Sequence, residues 1–384
     1  MEKSAALQTQ KPQRILAYDA LRILAMLAVI GIHAGMTSRG LGADRSQLII
    51  SIENVIRFAV PLLVFISGAL VWGRPFKSGK GKYLTFMKRR LSRIGLPYVA
   101  WFVVYALIAW ALPGQSFGWL TGVRAAPEGV ADFFLRLLSG HIWYHLYFIP
   151  MILSFAALTP LVSRIIHFRP SWSAPAFFLA TLVFKALVYP AISSGLQTIL
   201  AWDVWICLTH IVQHLPHMAM GAWFALCLAA WQQSRGKAVV GGRAGAVDSV
   251  AAGTTKSVPA GFMTVVSRRA GTMSVWLNVL KWPLYVLVLA VSAVALEPLW
   301  QKIKKPLIKI SGLTFGAYFT HPILLAIIQA AIPDLGPRVI AGQTTYLFNE
   351  LWFVVLLFVV LTVVSFAAAY LLSRFRITVW LIGE

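Results

Sequence analysis

Acidic residues are scarce in this 384-residue chain: 12 Asp and Glu stand against 34 Lys and Arg, for a formal net charge of +22. Charge of either sign is sparse, at 12% of residues, while hydrophobic residues reach 59% and mean hydropathy is +0.76. Soluble domains carry about one-quarter charged residues, so this composition excludes an ordinary soluble domain and indicates a polytopic membrane protein. Only two cysteines are present. Cys207 and Cys227 share one apolar segment, which excludes a secreted disulfide framework. A basic excess can mark a nucleic-acid binder, but here the cations fill short loops between apolar runs. That is the positive-inside pattern, and nucleic acid is set aside as a partner. No small-residue cleavage site follows the first apolar run, so it reads as a retained helix rather than a signal peptide.

Apolar runs near 15–35, 48–72, 94–112, 142–163, 173–192, 204–231, 275–296, 312–332 and 350–373 predict an all-α transmembrane helix bundle. The chain divides into a basic cytoplasmic tail (1–14), a first bundle (15–230), a linker rich in Gly, Ala, Ser and Arg (231–272) and a second set of helices (273–384). The linker, the lysines at 302, 304, 305 and 309, and Arg374 with Arg376 all favour the cytoplasm. One crossing at 275–296 cannot join two cytoplasmic segments. About 9–10 spans are expected, the total even and both termini inside, with 275–296 re-entrant or a marginal tenth span near 237–266.

The first run carries Asp19, Arg22 and His33 within the span. An ionisable group in hydrocarbon is costly, so it marks a candidate functional site. Eleven helical residues turn through about 1100°, which puts Arg22 and His33 on one face, about 16 Å apart along the axis. Asp19 sits one turn before Arg22, where an i,i+3 ion pair offsets burial. In the second run Glu53 and Arg57 stand at i,i+4, read as a structural pair or as a partner orienting His33. Between 74 and 93 there are eight cations and no acid, which suits a topology signal on anionic lipid or a site for a polyanionic cytosolic ligand. His210, His214 and His217 share one helix face. With no carboxylate or thiolate beside them, they read as packing or as a polar channel wall, and no metal site is expected.

Five stretches, in order, resemble the acyltransferase 3 family of integral membrane enzymes that move acyl groups onto sugars. Arg22-x10-His33 is similar to its basic-residue-x10-His motif, led in by Asp19. VPLLVFISG (60–68) resembles its Pro…Phe-x-x-Ser-Gly segment, and RRLSRIGLPY (89–98) its Arg-x-x-Arg run before Pro-Tyr. WYHLYFIPMILSFAALTPLV (143–162) resembles a Tyr-His-Leu-Trp-Phe…Thr-Pro signature, with Tyr147 where Trp is usual. ISGLTFGAYFTHPILL (310–325) is similar to Ser-x-Gly-x-Tyr-x-x-His-Pro, with Thr314 in place of Ser. The long linker departs from the family pattern.

The resemblance implies transfer of an acyl group, acetyl foremost, from acyl-CoA to a glycan hydroxyl in a bacterial inner membrane. His33 is then the base or acyl carrier; imidazole, with an ordinary pKa of about 6.5, suits either role. Arg22 is assigned to the oxyanion or a donor phosphate, with Asp19 and Glu53 in the catalytic group. Arg89, Arg90 and Arg93 are assigned to the coenzyme A phosphates, because guanidinium forks match phosphate geometry. His145, Tyr318 and His321 are assigned to substrate. The expected acceptors are an exopolysaccharide, cellulose-type polymers included, or a lipid-linked glycan, with a polysaccharide synthase complex as a further partner. The competing class is a transporter or flippase of a lipid-linked sugar; against it, the polar residues of the first span have no counterpart in the second half.

Overall fold

The computed structural model describes residues 14–36, 47–76, 79, 81–111, 127, 129–240, 270–331, 338–340, 343–345, 350–376 and 378–383. It is an all-α bundle: α1 (Leu16–Met36), α2 (Gln47–Ile56), α3 (Ala59–Val71), α4 (Lys82–Arg90), α5 (Leu96–Ala111), α6 (Val130–Ser139), α7 (Phe148–Ala157), α8 (Thr159–Ile166), α9 (Pro170–Val183), α10 (Tyr189–Ile199), α11 (Trp202–Val240), α12 (Ala270–Ala295), α13 (Glu297–Lys302), α14 (Lys304–Ala331) and α15 (Leu351–Arg374). A small antiparallel hairpin, β1 (Arg338–Ile340) with β2 (Gln343–Thr345), is the one non-helical pairing among the described residues.

Prolines divide the expected spans. Proline has no N–H to give the carbonyl four residues back, and its ring crowds that carbonyl. Pro61 removes the bond to Arg57, and the second span accordingly splits into α2 and α3 at Arg57–Phe58. Pro160 opens α8, and α7 and α8 meet at 59°. Pro97 and Pro190 each follow a π-helical turn, Leu91–Gly95 and Phe184–Val188, that ends two residues earlier. In those turns Leu96 N–H bonds the Leu91 carbonyl and Tyr189 N–H bonds the Phe184 carbonyl, so the wider loop absorbs the missing α-helical bond.

Several expectations are revised. The second half of the basic stretch 74–93 is helical and continuous with the third span, Lys82–Ala111. The run at 142–163 is a turn region followed by two bent helices, and α11 extends to Val240 rather than ending at 231. Among the described residues seven helices are long and apolar enough to cross a bilayer, or eight with the bent pair taken as one, against 9–10 expected. Val279–Ala295, the described core of the run at 275–296, is shorter than these. The tenth span near 237–266 falls largely outside the described residues.

The core gathers around α1, which packs on α14, α3, α15 and α12. Its first N–H groups lack helical partners; those of Leu16 and Ala17 donate to the Glu297 carboxylate at 3.0 and 2.8 Å. This negative cap suits the positive end of the helix dipole, and it sets the end of α12 at the start of α1, so the two run antiparallel. Helices α3 and α11 approach closely. A Cβ on Gly68 would run into the Met218 carbonyl, and one on Gly221 into the Phe65 carbonyl. With lipid outside, close backbone approach of this kind is what holds helices together. Gly221→Ala is therefore expected to destabilise the protein by about 1–3 kcal/mol through overpacking. Gly195→Ala, where no atom lies within 4 Å, should be neutral or slightly stabilising; thermal unfolding in detergent compares the two.

Candidate active site

The charges of α1 are arranged around one carboxylate. Asp19 is 3% exposed and accepts both Arg14 Nε and Nη2 at 2.7 Å. Ser311 Oγ on α14 donates to it at 2.8 Å. Arg22 stands 3.7 Å away and donates instead to Ser311 Oγ at 3.2 Å. The expected i,i+3 pair thus exists, but as the weaker contact. Arg14, not Arg22, neutralises Asp19, which leaves Arg22 facing inward on a cavity. Ser311 and Arg14 went unassigned in the sequence, although Ser311 lies within the stretch 310–325.

That cavity has a volume of 540 Å³. Among the described residues Arg14, Arg22, Arg90 and Arg93 line it and no carboxylate does, while apolar side chains such as Leu63, Ile66 and Phe148 form its walls. The π-helical turn Leu91–Gly95 starts directly after Arg90 and carries Arg93. Arg89, assigned with them from sequence, is exposed on α4 and does not line the cavity. Ser67 does, with its hydroxyl turned back on the Leu63 carbonyl at 2.9 Å. The deep end reaches Met26 and Tyr318. Met26 lies seven residues before His33, about 10 Å along the helix.

Beyond Tyr318 three imidazoles meet. His33 Nδ1 is 2.7 Å from His321 Nε2, and the two rings stack at 5.0 Å between centroids. The Tyr144 ring stands edge-on to His33 at 4.6 Å. His145 lies 5.8 Å from the His321 ring and 4.9 Å from that of Tyr318. It is buried, and neither of its ring nitrogens has a protein partner among the described residues. The Tyr318 hydroxyl donates to the His145 carbonyl, and that of Tyr105 to the Phe319 carbonyl at 2.7 Å. Three stretches more than one hundred residues apart, α1, the turn at 140–147 and α14, thus converge on one point. Tyr144 is the member that sequence reasoning missed; it sits within a quoted stretch, beside His145.

Glu53 does not join them. It is 2% exposed and packs where a side chain on Gly35 would sit, on an apolar groove of α1, α2 and α15, while the ring nitrogen of His33 is turned to His321. Arg57 is exposed in the α2–α3 turn and forms no ion pair with Glu53. On α11, the rings of His214 and His217 lie 5.7 Å apart, and His210 stacks on Tyr147 at 3.9 Å. Among the described residues no three of His, Cys, Asp and Glu are grouped to hold a metal ion.

Fold and site together define a multi-pass membrane protein in which a basic cavity ends at a cluster of histidines. The family model described as an acyltransferase domain, that of the acyltransferase 3 family, matches residues 15–374. The chain belongs to this family and is an acyltransferase acting on groups other than aminoacyl groups. Neither a curated protein nor a solved structure matches it.

Asp19 carries the first testable consequence. Asp19→Asn removes the charge that Arg14 and Ser311 bond, and hydrogen bonds to a charged group contribute about 1.5–3 kcal/mol. Because Arg14 is half exposed, a loss at the low end is expected, read as a lowered unfolding temperature in detergent.

Proposed function

We propose that the protein transfers an acyl group, acetyl foremost, from acyl-CoA to a hydroxyl of a glycan. One observation carries this reading: four arginines, of which Asp19 neutralises Arg14, line a cavity whose apolar depth ends beside the histidine cluster. Permanent, forked cations match the phosphates of coenzyme A, and the apolar wall suits its pantetheine arm and acyl group. In this reading Arg90 and Arg93 hold phosphates at the basic end, and Arg22 serves a phosphate or the thioester oxyanion. His33, beyond Tyr318, takes the proton of the acceptor hydroxyl. A positioned base of this kind contributes about 10²- to 10⁴-fold.

The basic end is cytoplasmic by the positive-inside rule, where acyl-CoA is made, and the histidines lie in the other half of the bundle. That polarity favours an acceptor at the outer face of a bacterial inner membrane: an exopolysaccharide, cellulose-type polymers included, or a lipid-linked glycan, with a synthase complex as supplier.

Purified protein in detergent with acetyl-CoA should release free thiol, and more with a suitable glycan. His33→Ala should lower release by about 10²-fold or more. Arg90→Gln and Arg93→Gln should raise KM for acyl-CoA in a salt-sensitive way, and Arg89→Gln should have little effect. Full release from His33→Ala contradicts the assignment.

A further inference from the structure

His321 came from the sequence as a substrate contact, but its surroundings assign it another task. Its ring is fully buried. Nδ1 lies 2.9 Å from the Ala317 carbonyl oxygen one turn back on α14. A carbonyl oxygen only accepts, so Nδ1 carries a proton. In neutral His321 the other nitrogen, Nε2, then presents a lone pair, and it lies 2.7 Å from His33 Nδ1. His33 must donate there. Its own proton is thereby placed on Nδ1, and its lone pair on Nε2.

The consequence lies at Nε2 of His33. Among the described residues that atom has no protein partner and, unlike both ring nitrogens of His145, it is not sealed from solvent. We infer that His321 is a positioning residue: the chain Ala317 carbonyl, His321, His33 fixes the one tautomer of His33 whose free lone pair can meet an acceptor hydroxyl. The logic is that of a base oriented by a third group, with a second imidazole and a backbone carbonyl in place of a carboxylate. In hydrocarbon this substitution has a reason, since a neutral pair avoids burying a charge.

The inference rests on the acyl-transfer reading for its chemistry. The hydroxyl proton passes to His33 Nε2 as oxygen bonds the thioester carbonyl carbon. The carbon–sulfur bond breaks, and the leaving thiolate takes that proton back. Alcohol and thioester become ester and thiol, with His33 restored. An acylated His33 would need the same lone pair.

The test has two readouts. In full-length protein labelled with ¹⁵N-histidine and held in lipid nanodiscs without donor, His33, assigned by its loss in His33→Ala, should appear in the Nδ1–H form. His321→Phe should lose that form and lower kcat by about 10²-fold or more, with KM for acyl-CoA unchanged. His321→Gln, whose amide oxygen can accept the same proton bond, should keep most of the activity. An Nε2–H signal for His33 in the unmodified protein would overturn the inference, and so would a His321→Gln protein that is folded yet as inactive as His321→Phe. Because the nuclear signal needs no turnover, a missing acyl-transfer activity and a wrong tautomer are separate results.

Discussion

A buried charge inside a bilayer persists only where other groups neutralise and bond it, and the Asp19 carboxylate is the point from which this bundle is organised. Arg14 and Ser311 bond it, and Arg22 shares Ser311 with it. Through Ser311 the carboxylate ties α1 to α14. One turn earlier Glu297 caps α1 from the start of α13. These two carboxylates hold the basic end of α1 against the second half of the chain, and that register brings His33 level with His321 farther along the same pair of helices.

The same arrangement separates two tasks on one helix. Because Arg14 neutralises Asp19, the guanidinium of Arg22 is left to face the cavity together with Arg90 and Arg93. The opposite half of α1 carries no charge; its polar side chain is His33, which bonds His321, and His321 in turn bonds the Ala317 carbonyl. The cavity end thus gathers the charged side chains, and the other end a neutral histidine cluster. The α3–α11 contact, tight to the backbone at Gly68 and Gly221, forms part of the wall between, since Ser67 and Met218 both line the cavity.

Much of this was legible in the sequence. The spacing of Arg22 and His33 located the helix that joins the arginine-lined cavity to the histidine cluster, and the resemblance named every histidine of that cluster. What could not be read was partnership. Asp19 looked paired with Arg22 because helical spacing was the only geometry available; Arg14 lies outside the helix and competes from a non-helical position. Glu53 and His33 stand in neighbouring helices, yet Glu53 packs on Gly35 and the imidazole bonds His321. Span boundaries failed at prolines for a definable reason. A missing N–H leaves an apolar run unchanged in hydropathy while forcing a break at 57–58, a bend at 158 and two π-helical turns.

The claim that joins these parts is that one route leads from the arginines past Tyr318 to His33. Photo-crosslinking tests it directly, using an acyl-CoA whose acyl chain carries a diazirine, followed by mass mapping of the labelled peptide. The account predicts labelling at the deep end of the cavity, on Met26, Tyr318 or the neighbourhood of His33, abolished by excess coenzyme A. Labelling confined to the apolar groove of α1, α2 and α15, at Leu24, Ile52 or Phe358, and indifferent to coenzyme A, would contradict it.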